Sequence, residues 1–202
     1  MLDSQEQLAV ASGLRDGSRR SWAALYDAYS VDVWRYVARL LGSDPAAVAD
    51  VVQETFIEAA RSATKFDSSR GTLWTWLTGI AHHRVAAHWR QAQKMANLRS
   101  LVERRAEEVR HLLDATESSG GACRQNDPAE LAALVRATLA ELPADYAALL
   151  IAKYMDDRDL ARLSEDTGGT IEAVKSKLAR ARREFRAKFD RLTREPIESM
   201  IE

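Results

Sequence analysis

The chain is expected to be all-α, an N-terminal helical bundle and a C-terminal four-helix unit joined by a flexible linker. Three observations predict this. Apolar residues recur every three or four positions at both ends of the chain, Gly (9) and Pro (4) are sparse in 202 residues, and no β-branched run alternates with polar residues as a strand would. Between residues 92 and 128 that periodicity fades and then stops.

From Gln5 to about Gln91 the apolar series runs Leu8, Leu14, Trp22, Leu25, Tyr26, Tyr29, Val33, Tyr36, Val37, Leu40, Leu41, broken at "RDGS", "GSDP" and "DSSRGT". That spacing predicts four or five helices. "SDPAAVAD" reads as a helix start, with Ser43 or Asp44 as cap and Pro45 at the first helical position, where its missing N–H costs nothing. After Ala92, Glu103, Glu107 and Glu108 with basic partners decorate a weak amphipathic stretch, and "ESSGGACRQNDP" has no period at all. From Ala129 come "AELAALVRATLAELP", "ADYAALLIAKYM", "DLARLSEDT", a Gly-Gly corner and a long basic helix from about Thr170 to Thr193, the pattern of a helix-turn-helix domain. The expected boundaries are 1–91, 92–128, 129–194 and a tail over 195–202.

Lys plus Arg (29) nearly cancel Asp plus Glu (30), so any nucleic-acid surface must be local. The lone Cys123 forms no intramolecular disulfide, Asp3 and Glu6 stand where a signal peptide would be basic, and no apolar run reaches the roughly 18 residues of a membrane span. A soluble protein of a reducing compartment is expected.

Charge is distributed unevenly in two places. Residues 172–194 carry nine basic side chains against three acidic ones, over an apolar seam of Val174, Leu178, Ala181, Phe185, Phe189 and Leu192, so the helix can dock on its own domain and present cations outward. From Ser68 to Val102 there is no acidic residue, while Trp74, Trp76 and Trp89 interleave with Arg70, Arg84, Arg90 and three histidines. Cations with flat apolar partners suit single-stranded nucleic acid, although Trp74 and Trp76, two apart, point in different directions on a helix. His82, His83, His88 and Cys123 match no metal-ligand spacing, and Ser164 and Ser176 have no accompanying base. No catalytic residue, metal or cofactor is expected.

These segments together resemble the extracytoplasmic-function group of bacterial RNA polymerase sigma factors, in the sigma-70 family. "WAALYDAYSVDVWRYVARLLG" is similar to the family's first conserved region, "DPAAVADVVQETFIEAAR" to the second, and "FDSSRGTLWTWLTGIAHHRVAAHWR" to the melting and −10 recognition segments. "LAELPADYAALLIAKYM" followed by "TIEAVKSKLARARREF" resembles the region that reads the −35 element.

The resemblance implies a specificity subunit that binds core RNA polymerase through the β′ clamp helices and the β flap and binds promoter DNA. It also implies restraint by an anti-sigma factor, and a cytoplasmic location with membrane tethering only through that partner. Asp50, Gln53, Glu54, Ile57, Glu58 and Arg61 share one helical side and would face the clamp. Phe66, Arg70, Trp74, His83, Arg84, His88 and Arg90 would meet the −10 strand, a flipped base entering near Asp67 to Thr72. Lys175, Ser176, Lys177, Ala179, Arg180 and Arg183 would meet the −35 element in the major groove.

The chain departs from the family pattern at Arg158, Asp159, Thr167 and Gly169, where apolar or serine residues are usual, and at His83 and Ala87, where Asn and Asp are usual. Thr167 and Gly169 would thin the packing beneath the recognition helix. Two other readings stand beside it: a sigma-like decoy that binds polymerase or an anti-sigma protein without reading promoters, motivated by the atypical "EDTGGT" corner, and a dimeric helix-turn-helix repressor, which leaves the N-terminal bundle unexplained.

Overall fold

A computed structural model describes residues 2–42, 44–92 and 128–198. The linker expected over 92–128, Cys123 within it, and the last four residues lie outside the described residues, apart from the linker's two ends. Every described element is helical: α1 (Ser4–Arg15), α2 (Arg19–Leu41), α3 (Pro45–Ser62), a 3₁₀ turn (Ala63–Lys65), α4 (residues 73–92), α5 (Pro128–Glu141), α6 (Ala144–Tyr154), α7 (Leu160–Thr167) and α8 (Ile171–Glu198).

The helix starts are chemically set. Asp3 and Glu6 form a reciprocal capping box at α1, and the Ser18 hydroxyl accepts from Ser21 N–H at α2. At α3 Asp44, rather than Ser43, is the cap: its Oδ1 accepts from Ala46 and Ala47 N–H at 3.0 and 3.2 Å, with Pro45 behind it. At α4 Thr72 Oγ1 accepts from Thr75 N–H (3.1 Å), and Gln7 Oε1, reaching across from α1, accepts from Leu73 N–H (3.2 Å). Gly42 ends α2 at φ 86° and ψ −142°, a conformation open only to glycine.

Packing follows the apolar spacing. Along α2, Leu25, Tyr29, Val33, Tyr36, Val37 and Leu40 are buried against Val48, Val51, Val52, Thr55 and Ala59 of α3. Leu73, Leu77, Ala81 and Val85 of α4 are wholly buried at every fourth position, the spacing that keeps one stripe facing the core. Val10, Ala11 and Leu14 close the bundle from α1.

The C-terminal unit is built on α8, against which α5, α6 and α7 all pack. Val174, Leu178 and Ala181 are buried there, with Leu139, Leu149, Leu150, Ile151 and Leu163 opposite. α8 continues to Glu198, beyond Thr193 where its apolar period ends, and takes in Pro196, which has no N–H to give the carbonyl one turn back. The two units touch: α2 runs against α5 and α6. No described helix is long and apolar enough to cross a membrane.

Replacing a wholly buried leucine should be costly, and replacing an exposed one should not. Leu25→Ala or Leu77→Ala should lower unfolding free energy by about 2–5 kcal/mol in urea titrations, while Leu8→Ala should stay within about 0.5 kcal/mol.

Candidate polymerase and nucleic-acid interfaces

The α3 side chains divide as their spacing requires. Val51, Val52, Thr55 and Ala59 are buried, and Thr55 satisfies its hydroxyl on Val51 O at 2.7 Å. Asp50, Gln53, Glu54, Ile57 and Arg61 are exposed on the other side, Ile57 at 42%, and Glu58 is half-buried among them. Arg84 from α4 donates to Glu58 at 3.0 Å and lies 3.9 Å from Glu54. The result is an acidic face with one apolar centre. Tyr26, exposed and 5.0 Å from the Phe56 ring, extends that apolar centre onto α2.

The segment from Phe66 to Arg90 is arranged differently from an open stacking strip. Phe66 is buried and its ring packs at 5.1 Å on Trp76. Trp74 is half-buried, stacked on Tyr29 and edge-on to Tyr36 at 6.4 Å each. Trp89 donates its indole N–H to Leu40 O at 3.2 Å. All three tryptophans turn toward the bundle, Trp74 onto the aromatics of α2, Trp76 onto Phe66 and Trp89 onto the Leu40 carbonyl at the end of α2. Arg70, His83, His88 and Arg90 are exposed, while Arg84 is engaged with the α3 carboxylates.

The loop before α4 is preorganised by its own side chains. Asp67 Oδ1 accepts from Ser69 N–H (2.9 Å) and Ser69 Oγ–H (2.7 Å), and these bonds hold its carboxyl below the usual range.

His82 is the residue whose role the sequence leaves hidden. Its imidazole is buried, with Nε2 2.7 Å from Leu142 O and Nδ1 3.0 Å from the Tyr36 hydroxyl. A carbonyl only accepts, so Nε2 carries the proton and Nδ1 accepts from Tyr36. Burial pushes His82 below its ordinary pKa, the neighbouring His83 adds to this, and the bonds to the Leu142 and Ala140 backbone and the charge of Asp145 oppose it. Burial also raises the Tyr36 phenol far above its usual value and takes that of Tyr29 to about 12, so both keep their protons.

On α8, Lys175, Ser176, Ala179, Arg180 and Arg183 are exposed. Lys175 pairs with Glu172 at 2.9 Å, and Lys177 turns back to Asp145 at 2.7 Å. The helix is presented by a well-formed corner. Gly168 adopts the left-handed conformation at φ 68°, and its N–H closes α7 on Glu165 and Ser164 carbonyls.

The departures in α7 have local causes. Asp159 caps α7, accepting from Arg162 N–H at 2.7 Å; Arg158 Nη1 bonds the buried Asp166 carboxylate; Thr167 donates to Leu163 O at 2.8 Å. A signal for the cap was legible: an acidic residue directly before a new apolar period.

Two family models match the chain, sigma-70 region 2 over residues 25–95 and sigma-70 region 4 over residues 132–185, together more than half of it. The chain belongs to the extracytoplasmic-function group of the sigma-70 family. It is 29% identical over 180 residues to the sigma factor SigC of Mycobacterium tuberculosis, covering 89% of each chain. To SigL of the same species it is 28% identical over 190 residues, covering 92% of this chain and 98% of SigL. The solved structure of CnrH in complex with the cytosolic domain of CnrY is similar at a TM-score of 0.46 and 20% identity, over 92% of this chain and 97% of that one.

As a sigma factor the chain serves promoter-specific initiation of transcription. α2 to α4 fall in region 2, and α5 to α8 up to Phe185 in region 4, so the acidic α3 face and the loop before α4 lie on one sigma region and the basic helix on the other.

Two outcomes follow from the site chemistry. Because folded His82 binds its proton more weakly than an unfolded histidine, its contribution to stability is complete above about pH 6.5 and is lost as pH falls below that value. The wild type should therefore lose more stability than His82→Gln between about pH 7.5 and pH 5.5 in denaturant titrations. On duplex DNA carrying the cognate −35 element, Lys175→Ala with Arg180→Ala should flatten the dependence of log K on log salt by about 0.9 for each phosphate that the pair neutralises in the wild type.

Proposed function

We propose that this sigma factor grips core polymerase with the acidic α3 face, reads the −10 strand with the loop and outer cations around α4, and reads the −35 element with α8. The observation that carries this reading is the α3 face: Asp50, Gln53, Glu54 and Arg61 are exposed around Ile57, while the opposite side of the same helix is core. Carboxylates around an apolar anchor fit a basic partner helix, the charges setting orientation and the anchor adding affinity.

For the −10 element the exposed groups are Arg70, His83, His88 and Arg90, which can neutralise phosphates. Phe66 and Trp74 are less accessible, so base stacking at these positions requires movement of the surrounding side chains. For the −35 element Arg180 and Arg183 project from α8, with Lys175 released from Glu172 by a competing phosphate. Ser176 and Ala179 are small enough to let the helix approach the base edges. Lys177, held by Asp145, fits a role in steadying α6 against α8 better than a DNA contact.

A groove of about 380 Å³ between α5, α6 and α8 is lined by Leu139, Leu150, Tyr154, Met155 and Phe185, with Arg182 and Arg186 on its rim. It suits an amphipathic helix of the β flap or of an anti-sigma factor, whose binding would also keep the chain near a membrane if that partner is anchored there. The chain acts as a binding subunit, and its titratable groups serve structure and docking rather than catalysis.

Charge reversal of Asp50→Lys with Glu54→Lys should weaken binding to core polymerase by about 100-fold or more while leaving the helical circular dichroism and unfolding midpoint nearly unchanged. A folded variant that binds core as tightly as the wild type removes the α3 face from the polymerase interface.

A further inference from the structure

α1 lies wholly before residue 25, where the match to sigma-70 region 2 begins, yet it holds the loop before α4 at both ends. At the loop's entry α1 packs against the 3₁₀ turn Ala63–Lys65, with Val10, Ala11, Leu14 and Ala63 all buried. At its exit the Gln7 carboxamide is fixed between two backbone groups. Leu73 N–H, a first-turn donor of α4 with no partner inside its own helix, can only donate, so Oε1 faces it at 3.2 Å. Leu2 O can only accept, so Nε2 donates to it at 3.1 Å. A third tie is electrostatic: the Asp67 carboxyl is held low first by its bonds to Ser69, and then by the charges of Arg70 and of Arg15 at the end of α1.

The same helix supplies a wall. A cavity of about 380 Å³, in the size range of small-ligand sites, is lined by Gln7 and Leu8 of α1 and by Phe66, Ser69, Arg70 and Thr72 of the loop. Thr167 and Gly168 border it from the C-terminal unit; every other wall belongs to the N-terminal one. Phe66 is buried and packed on Trp76, so Leu8, 57% exposed, is the apolar surface that a ligand meets without rearrangement. A lone exposed leucine is ordinary, but this one stands in a cavity whose other exposed side chains are Ser68, Ser69 and Arg70. An unstacked base needs this pairing: an apolar surface for its face, hydrogen-bonding groups for its edge and a cation for the adjoining phosphate.

We propose that α1 belongs to the −10 reader: Leu8 is the wall on which the face of an unstacked −10 base rests, and Gln7 is a positioning residue that fixes the loop opposite by holding the first N–H of α4. The inference rests on the reading of that loop as part of the −10 surface. Such a wall gives the base an apolar contact where Phe66 and Trp74 are turned inward.

The test uses the full chain bound to core polymerase and a single strand carrying the −10 sequence shared by its mapped start sites. Leu8→Ala should weaken binding of this strand by about tenfold, the loss expected when a few methyl and methylene groups leave an apolar contact. On strands made abasic at each −10 position in turn, the Leu8→Ala effect should vanish at one position and persist at the others. Gln7→Met, which has no acceptor for Leu73 N–H, should weaken the intact strand by about fivefold and lower the preference for the cognate base at that same position. Gln7→Glu keeps the acceptor and should restore most of both. Binding to core polymerase and to −35 duplex should be unchanged in all three variants.

Wild-type affinity in Leu8→Ala, or a Leu8→Ala loss that survives every abasic substitution, overturns the wall. Equal binding by Gln7→Met and wild type, or an equal loss in Gln7→Met and Gln7→Glu, overturns the positioning role. Arg70→Ala separates the two readings. If it weakens the strand while Leu8→Ala does not, only the role of α1 fails; if neither does, the loop itself is not part of the −10 surface.

Discussion

Tyr36 sits in the middle of α2, fully inside the protein, and its hydroxyl must be satisfied there. His82 satisfies it, and then needs an acceptor for its second nitrogen, which Leu142 O supplies from the other unit. One buried phenol thus leads a polar chain from the N-terminal core to the C-terminal domain. An apolar residue at 36 or 82 would have filled the bundle without specifying where the second unit rests. Directional bonds inside a low-dielectric seam favour a single arrangement, because the alternatives leave a donor or acceptor stranded.

The near-zero net charge conceals a strict partition. Acidic groups crowd the outer side of α3, basic groups crowd α8, and both patches sit on helices whose inner faces are held by four-residue apolar spacing. A rigid inner face fixes the outer one, so partners of opposite charge can be met without reorganising either helix. The elements that remain available for rearrangement are those of the seam, where bonds are few and cavities persist.

The helices themselves were legible from residue spacing. "SDPAAV" announced α3, and the i, i+4 series Leu73, Leu77, Ala81, Val85 allowed only one buried stripe for α4. Less legible was anything that depends on a distant partner. Arg84 reads as a free cation next to two histidines, yet it reaches Glu58, 26 positions earlier. The tryptophans read as an exposed strip because their targets, Tyr29, Tyr36, Phe66 and Leu40 O, are set by packing and not by local period. His82 resembled its neighbours His83 and His88 in sequence and differs only in the side of α4 it occupies. Thr167 and Gly169 read as lost packing beneath the recognition helix; Thr167 spends its hydroxyl on Leu163 O, and Leu163, Val174 and Leu178 close the core there.

The function of this chain is to start transcription, with core RNA polymerase, at a defined set of promoters. Its most direct measurement is initiation in vitro: purified chain and core enzyme on fragments of the source genome, with transcript 5′ ends mapped. Start sites that share upstream −10 and −35 sequences, and that vanish when the chain is omitted, are the expected result. A folded chain that binds core polymerase but yields no such start sites would contradict it.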